Sequence, residues 1–145
     1  DGVRMQPHIL KAVFDSNFNK LLYEFKPLEL NKVVTEEKYM KRVKEGLKMV
    51  MEVGGTGYNY IDPIYKPAGK TGTSQSFLDT DGDGKVDVET ITSTFSSYVP
   101  YDSPQVVFTI ISPDVAISSK SQYGISNVNK RITQKVSKKY FEIYK

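Results

Sequence analysis

The clearest periodicity in the chain lies between Thr35 and Gly55, where Tyr39, Val43, Leu47 and Val50 recur every three or four residues. That spacing gathers them on one face of a helix. Thr35-Glu36-Glu37-Lys38 offers a capping hydroxyl followed by acids, and Gly54-Gly55 offers a stop, so an amphipathic helix is predicted between them. A second apolar stripe, Ile125, Val128, Ile132, Val136, Tyr140 and Ile143, predicts a terminal helix packed on a sheet. Lys130, Arg131, Lys135, Lys138 and Lys139 fall mostly off that stripe and fit a solvated outer face better than a membrane surface.

Between the two helices the pattern changes. The stretches Ala68–Phe77, Glu89–Val99 and Gln105–Ser112 are rich in β-branched and aromatic residues and bounded by Gly, Pro and Asp. They predict three consecutive antiparallel strands. Residues 1–34 carry only short apolar groups, such as Ile9-Leu10 and Leu21-Leu22-Tyr23, among Pro7, Pro27 and polar residues, which predicts irregular chain with brief extended pieces. The expected fold class is α+β: an antiparallel sheet of three strands flanked by helices. Residues 1–145 read as one domain or a portion of one.

Composition narrows this picture. Hydrophobic residues make up 39% and charged residues 26% of the chain, an ordinary globular balance that argues against disorder. The net charge of +3, from 20 basic and 17 acidic residues, is too small an excess to expect nucleic acid as a partner. The chain has no cysteine, which removes disulfides, thiol nucleophiles and thiolate metal sites together. Its apolar runs, such as residues 105–111, fall well short of the ~20 residues of a spanning helix. Nothing after Asp1-Gly2-Val3-Arg4 resembles a leader, so if the full protein is anchored or exported that segment is expected upstream.

The most specific chemistry sits at the start of the first predicted strand, Lys70-Thr71-Gly72-Thr73. Lysine supplies a positive charge. Two threonines two residues apart put hydroxyls on one strand face, and the glycine between them removes a side chain where a ligand backbone can approach. This arrangement suits an extended peptide ending in a carboxylate, paired along the strand edge by main-chain hydrogen bonds.

Residues 46–57, a helix running into Gly54-Gly55-Thr56-Gly57, followed by Ala68-Gly69-Lys70-Thr71-Gly72-Thr73-Ser74-Gln75, resemble the class B penicillin-binding proteins. The resemblance covers nearly the whole chain. Residues 1–9 look like the segment that follows the family's second active-site motif, and residues 95–100 and 104–107 look like its next two strands. Thr94 stands where the family often has a bulkier aromatic, and Ser97 where it often has glycine.

The resemblance implies part of the penicillin-binding-protein and serine β-lactamase-like fold. It implies a peptidoglycan D,D-transpeptidase that cross-links stem peptides through a serine acyl-enzyme and binds β-lactam antibiotics. Carried over residue by residue, Lys70 would maintain the electropositive field and assist proton relay. Thr71 and Thr73 would bind the terminal carboxylate, Gly72 would permit close approach, and the Thr73 backbone N–H would form half of an oxyanion hole. The resemblance also implies attachment to the extracytoplasmic face of a bacterial membrane through an N-terminal anchor, and a place in antibiotic resistance.

No serine in the chain is followed by lysine three residues later or by asparagine two residues later. The family's Ser-x-x-Lys and Ser-x-Asn motifs are therefore expected upstream of Asp1, in the other half of the same domain. His8, the single histidine, has no nucleophile context and is expected to be structural. The alternatives are a noncatalytic sensor of β-lactam or cell-wall peptide with the same fold, and a calcium-dependent binding module.

That last alternative rests on Asp79-Thr80-Asp81-Gly82-Asp83-Gly84-Lys85-Val86-Asp87. Asp79, Asp81 and Asp83 stand at the first, third and fifth positions of an EF-hand-type calcium loop. Gly84 stands at six where the loop needs its glycine, Lys85 at seven would offer its carbonyl, and Asp87 stands at nine. At position twelve Thr90 replaces the usual acid, with Glu89 one place early. The stretch reads either as a structural calcium site or as a polar hairpin tip over residues 79–90. No cofactor is expected for catalysis.

Overall fold

The computed structural model describes residues 2–117 and 125–144. They divide into two compact units, residues 1–42 and 43–145. In the first, β1 (Val3–Met5) pairs antiparallel with β4 (Glu29–Lys32), and β2 (Ala12–Phe14) with β3 (Leu21–Glu24). The expected brief extended pieces are thus two short ribbons. His8 stacks on Phe25 with ring centroids 3.6 Å apart, and its Nδ1 lies 3.0 Å from the Leu10 carbonyl. Among the described residues of this unit none is buried.

Helix α1 (Glu37–Met51) forms where the apolar spacing places it. The second unit is built on three long strands, β5 (Ala68–Leu78), β6 (Val88–Val99) and β7 (Val106–Ile117), antiparallel in the order β5-β6-β7. The terminal helix α2 (Ile125–Ile143) packs on β6 and β7. A core of Met51, Tyr60, Ile61, Phe95, Val99 and Phe108 lies on the covered side. Phe108 meets Tyr140 edge-on at 5.7 Å, and Tyr65 stacks on Phe141 at 3.8 Å.

The stripe predicted to seat α2 does so at Tyr140, which packs on the core, but not along the helix before it. Val128, Ile132 and Val136 are 37–45% exposed, whereas Asn129, Thr133 and Ser137 are buried against the sheet; the Ile125 side chain is outside the described set. The reason lies in the opposing surface. Ser93 and Ser112 face the helix there, and Asn129 satisfies both: Ser112 Oγ donates to Asn129 Oδ1 at 2.6 Å, and Asn129 Nδ2 donates to Ser93 Oγ at 3.0 Å. Small polar side chains let the backbones approach while the Ser93, Ser112 and Thr133 hydroxyls keep partners, Thr133 Oγ1 donating back to the Asn129 carbonyl at 2.6 Å. Hydrophobic periodicity alone cannot see such a seam.

Candidate functional site

Alternation along β5 puts Lys70, Gly72 and Ser74 on one face of the sheet and Gly69, Thr71 and Thr73 on the other. The register carries the first set onto Ser96, Thr94 and Thr92 of β6, and the second onto Ser97, Phe95 and Ser93. Since Phe95, Ser93 and Ser97 are buried beneath α2 and its neighbours, the Lys70 face is the uncovered one. Val107 and Ile111 of β7 lie on that same face and are 69% and 63% exposed. β5 is also an edge strand, and among the described residues nothing pairs with its outer side. A chain lying along this edge would have Lys70 on one flank and the two threonines on the other.

The Lys70 ammonium folds back along the strand and donates to the Thr71 carbonyl. The Thr71 hydroxyl lies 2.8 Å from the hydroxyl of Thr56. Thr56 reaches it because the turn after α1 is wound tightly onto the helix end: Gly57 N–H donates to the Val50 carbonyl at 2.9 Å and Gly55 N–H to the Glu52 carbonyl at 2.9 Å. A Cβ on Gly55 would overlap the Val50 carbonyl, so the turn tolerates a side chain at 56 but not at 55.

Gly72 has a local reason to be glycine. A Cβ there would overlap the Thr94 hydroxyl directly across the sheet, so the space freed by the missing side chain is filled by the neighbouring strand. Thr56 and Thr94 are the two residues near the motif whose parts sequence reasoning did not assign. The Gly-Thr turn was visible in the sequence, but its hydroxyl partner depends on the path of the chain between Gly57 and Pro67.

Residues 79–87 form the tip joining β5 to β6, at the opposite end of β5 from Lys70; at ~3.3 Å per residue, Lys70 and Leu78 are about 26 Å apart. Carboxylate oxygens of Asp79, Asp81 and Asp87 lie within 4.8 Å of one another. Asp83 is not in that group; its carboxylate faces Lys85 Nζ at 3.4 Å. Asp79 accepts from the Gly84 and Gly82 N–H groups, each at 2.7 Å. Those bonds, Gly84 first, hold its carboxyl below the usual aspartate range. The Thr80 hydroxyl and then its N–H do the same for Asp87, at 2.7 and 2.8 Å.

A cleft of about 620 Å³ opens near the start of β5, walled by Met51, Tyr58, Pro63, Pro67 and Tyr101. It includes none of the Lys70–Thr73 side chains, so the motif's chemistry belongs to the strand edge and not to this cleft. His8 sits in the first unit with no acid or hydroxyl recorded as a partner among the described residues, only the Leu10 carbonyl and the Phe25 ring.

Comparison with known proteins gives a consistent result. The family described as penicillin binding protein transpeptidase domain matches residues 1–138. The chain is 34% identical to penicillin-binding protein 2A of Bacillus subtilis (strain 168) over 98% of its length, and 28% identical to penicillin-binding protein H of the same organism over 99%. It spans about a fifth of the length of these curated relatives, 20% in each case. Among solved structures, penicillin-binding protein 2B from Streptococcus pneumoniae (strain R6) superposes with a TM-score of 0.69 at 23% identity, covering 96% of this chain and 22% of that one. The D,D-transpeptidase domain of a peptidoglycan glycosyltransferase from Eggerthella lenta gives 0.67 at 26% identity, covering 99% and 29%. The α+β architecture, with its antiparallel sheet and two helices, is shared with both.

Proposed function

The chain belongs to the penicillin binding protein transpeptidase domain family, and from that premise we propose that it forms the carboxylate-gripping wall of a peptidoglycan D,D-transpeptidase active site. The observation that carries this reading is the free edge of β5 with Lys70 on one flank and Thr71 and Thr73 on the other. A stem peptide laid along that edge gains main-chain hydrogen bonds, its terminal carboxylate meets the two threonine hydroxyls on one flank, and Lys70 supplies positive potential from the other.

In the reaction, a serine hydroxyl from another part of the domain attacks the penultimate D-alanine carbonyl. The peptide C–N bond breaks, D-alanine departs with the proton, and an acceptor amine displaces the serine from the acyl-enzyme. The Thr73 N–H stabilises the oxyanion formed on the way, while Lys70 supplies positive potential and aids proton relay. A β-lactam, carrying a carboxylate beside its strained amide, acylates the same serine. The partner of this wall is the remainder of the transpeptidase domain, and the site faces the outside of a membrane to which the protein is anchored elsewhere. Among the described residues no helix is long and apolar enough to cross a membrane.

The test is acylation by labelled penicillin of a protein carrying this chain within its whole domain. Lys70→Ala should cut the acylation rate at least about 100-fold, the scale of losing one electrostatic stabiliser. Near-wild-type acylation would remove Lys70 from the role assigned here, and tight but noncovalent binding by the unsubstituted protein would favour a sensor.

A structural calcium ion on the 79–87 loop is a second part of the proposal. Calcium takes hard oxygen donors, and Asp79, Asp81 and Asp87 already converge their carboxylates. The Lys85 carbonyl and, after a side-chain rotation away from Lys85, Asp83 would complete the shell; the ion would stiffen the hairpin. Calorimetry should give a calcium-dependent heat that Asp79→Asn removes. No heat with the unsubstituted protein leaves the loop as a hydrogen-bonded hairpin tip.

A further inference from the structure

Thr56 lies outside the Lys-Thr-Gly-Thr strand, yet its hydroxyl is the closest recorded partner of the Thr71 side chain, at 2.8 Å. Two hydroxyls at that distance share one proton between them, so one donates and the other accepts. Which one donates is decided by what else the pair must bind. An ionised carboxylate accepts only, and a Thr71 that holds one must spend its proton on the ligand. Thr56 is then the donor to Thr71, and the result is a chain from Thr56 O–H to Thr71 O and from Thr71 O–H to the carboxylate. Each link polarises the next.

The scaffold fits that task. Thr56 is exposed but its backbone is fixed by the Gly57-to-Val50 and Gly55-to-Glu52 hydrogen bonds, both 2.9 Å. The turn thus brings a single hydroxyl to the strand on a rigid mount. Without Thr56, the Thr71 side chain would be free to rotate among its staggered positions, and its hydroxyl would point at the ligand only part of the time.

We propose that Thr56 is a positioning residue for ligand carboxylates, acting by fixing the rotamer and proton direction of the Thr71 hydroxyl. The inference rests on the functional reading above and adds to it a residue outside the motif. It separates from a merely structural tie between turn and strand by its dependence on the ligand's negative charge.

The experiment compares acylation rates by benzylpenicillin and by its methyl ester, in a protein carrying this chain within its whole transpeptidase domain. Thr56→Val should slow the free acid roughly two- to tenfold, the range of one net hydrogen bond, and change the ester by less than about twofold. Thr56→Ser should restore the rate with the acid. In a Thr71→Val background the Thr56 substitution should have no further effect.

Equal losses with acid and ester, an unchanged rate with the acid, or full additivity with Thr71→Val would each overturn the proposal. Should the valine variant fail to fold, Thr56→Ala is read by the same ratio. An unsubstituted protein that benzylpenicillin does not acylate overturns the functional reading and this inference with it, a result distinct from an acylated protein indifferent to Thr56.

Discussion

At Gly72 a methyl group would land on the Thr94 hydroxyl, so Gly72→Ala should destabilise the protein by about 1–3 kcal/mol, the usual cost of forcing atoms into a filled space. Thr94→Ala in the same protein should recover most of that loss, as read by denaturant unfolding. A Gly72→Ala variant that is fully stable would mean Thr94 turns aside without cost. The Lys70–Thr73 motif itself was legible as residues: charge, two hydroxyls and a glycine in four positions. The partners of those residues were not. Thr56 and Thr94 are brought to the motif by a turn and by strand register, 15 residues upstream in one case, and neither distance is encoded in local pattern.

At the scale of elements, α1, β5 and β6 came close to their predicted bounds because their signals are local: apolar spacing, a glycine stop, β-branched runs; β7 runs past its predicted end at Ser112 to Ile117. Helix α2 shows where that logic stops. Its extent was predicted, and Tyr140 of the predicted stripe packs on the core, but the polar part of its buried face was missed, since Asn129, Thr133 and Ser137 read as polar in sequence and Asn129 finds its partners in serines on distant strands. Asn129→Ala should therefore cost about 1–3 kcal/mol by leaving Ser93 and Ser112 without their partner. Ser93→Ala and Ser112→Ala added to it should cost little more, a coupling readable by thermal unfolding.

The β5–β6 tip yields a pH prediction. Asp79 and Asp87 have carboxyls held below the usual range by donors from Gly84, Gly82 and Thr80. A lowered folded pKa contributes stability above the unfolded value, about 3.9, and loses it as pH falls through the folded value. The Gly82, Gly84 and Thr80 amide resonances should stay constant down to about pH 4 and shift only below it. Shifts centred well above that would mean these carboxylates are not held as the structure has them.

For the whole molecule, the notable surface is the sheet face that carries Lys70, where Val107 and Ile111 stand 69% and 63% exposed. The proposed remainder of the transpeptidase domain is the partner that would cover them. Ile111→Asp in a protein with the complete domain should then lower stability by about 3 kcal/mol or more, against within about 0.5 kcal/mol for a residue facing water.

The central claim, that this chain is one wall of a serine acyl-transferase site, is tested most directly by locating the penicillin adduct. A protein carrying residues 1–145 within its whole domain would be treated with benzylpenicillin, digested, and read by mass spectrometry. The account predicts one acyl group per molecule, on a serine outside residues 1–145 and followed three residues later by lysine. An adduct on any serine between Ser16 and Ser137, or no adduct at all, would contradict it.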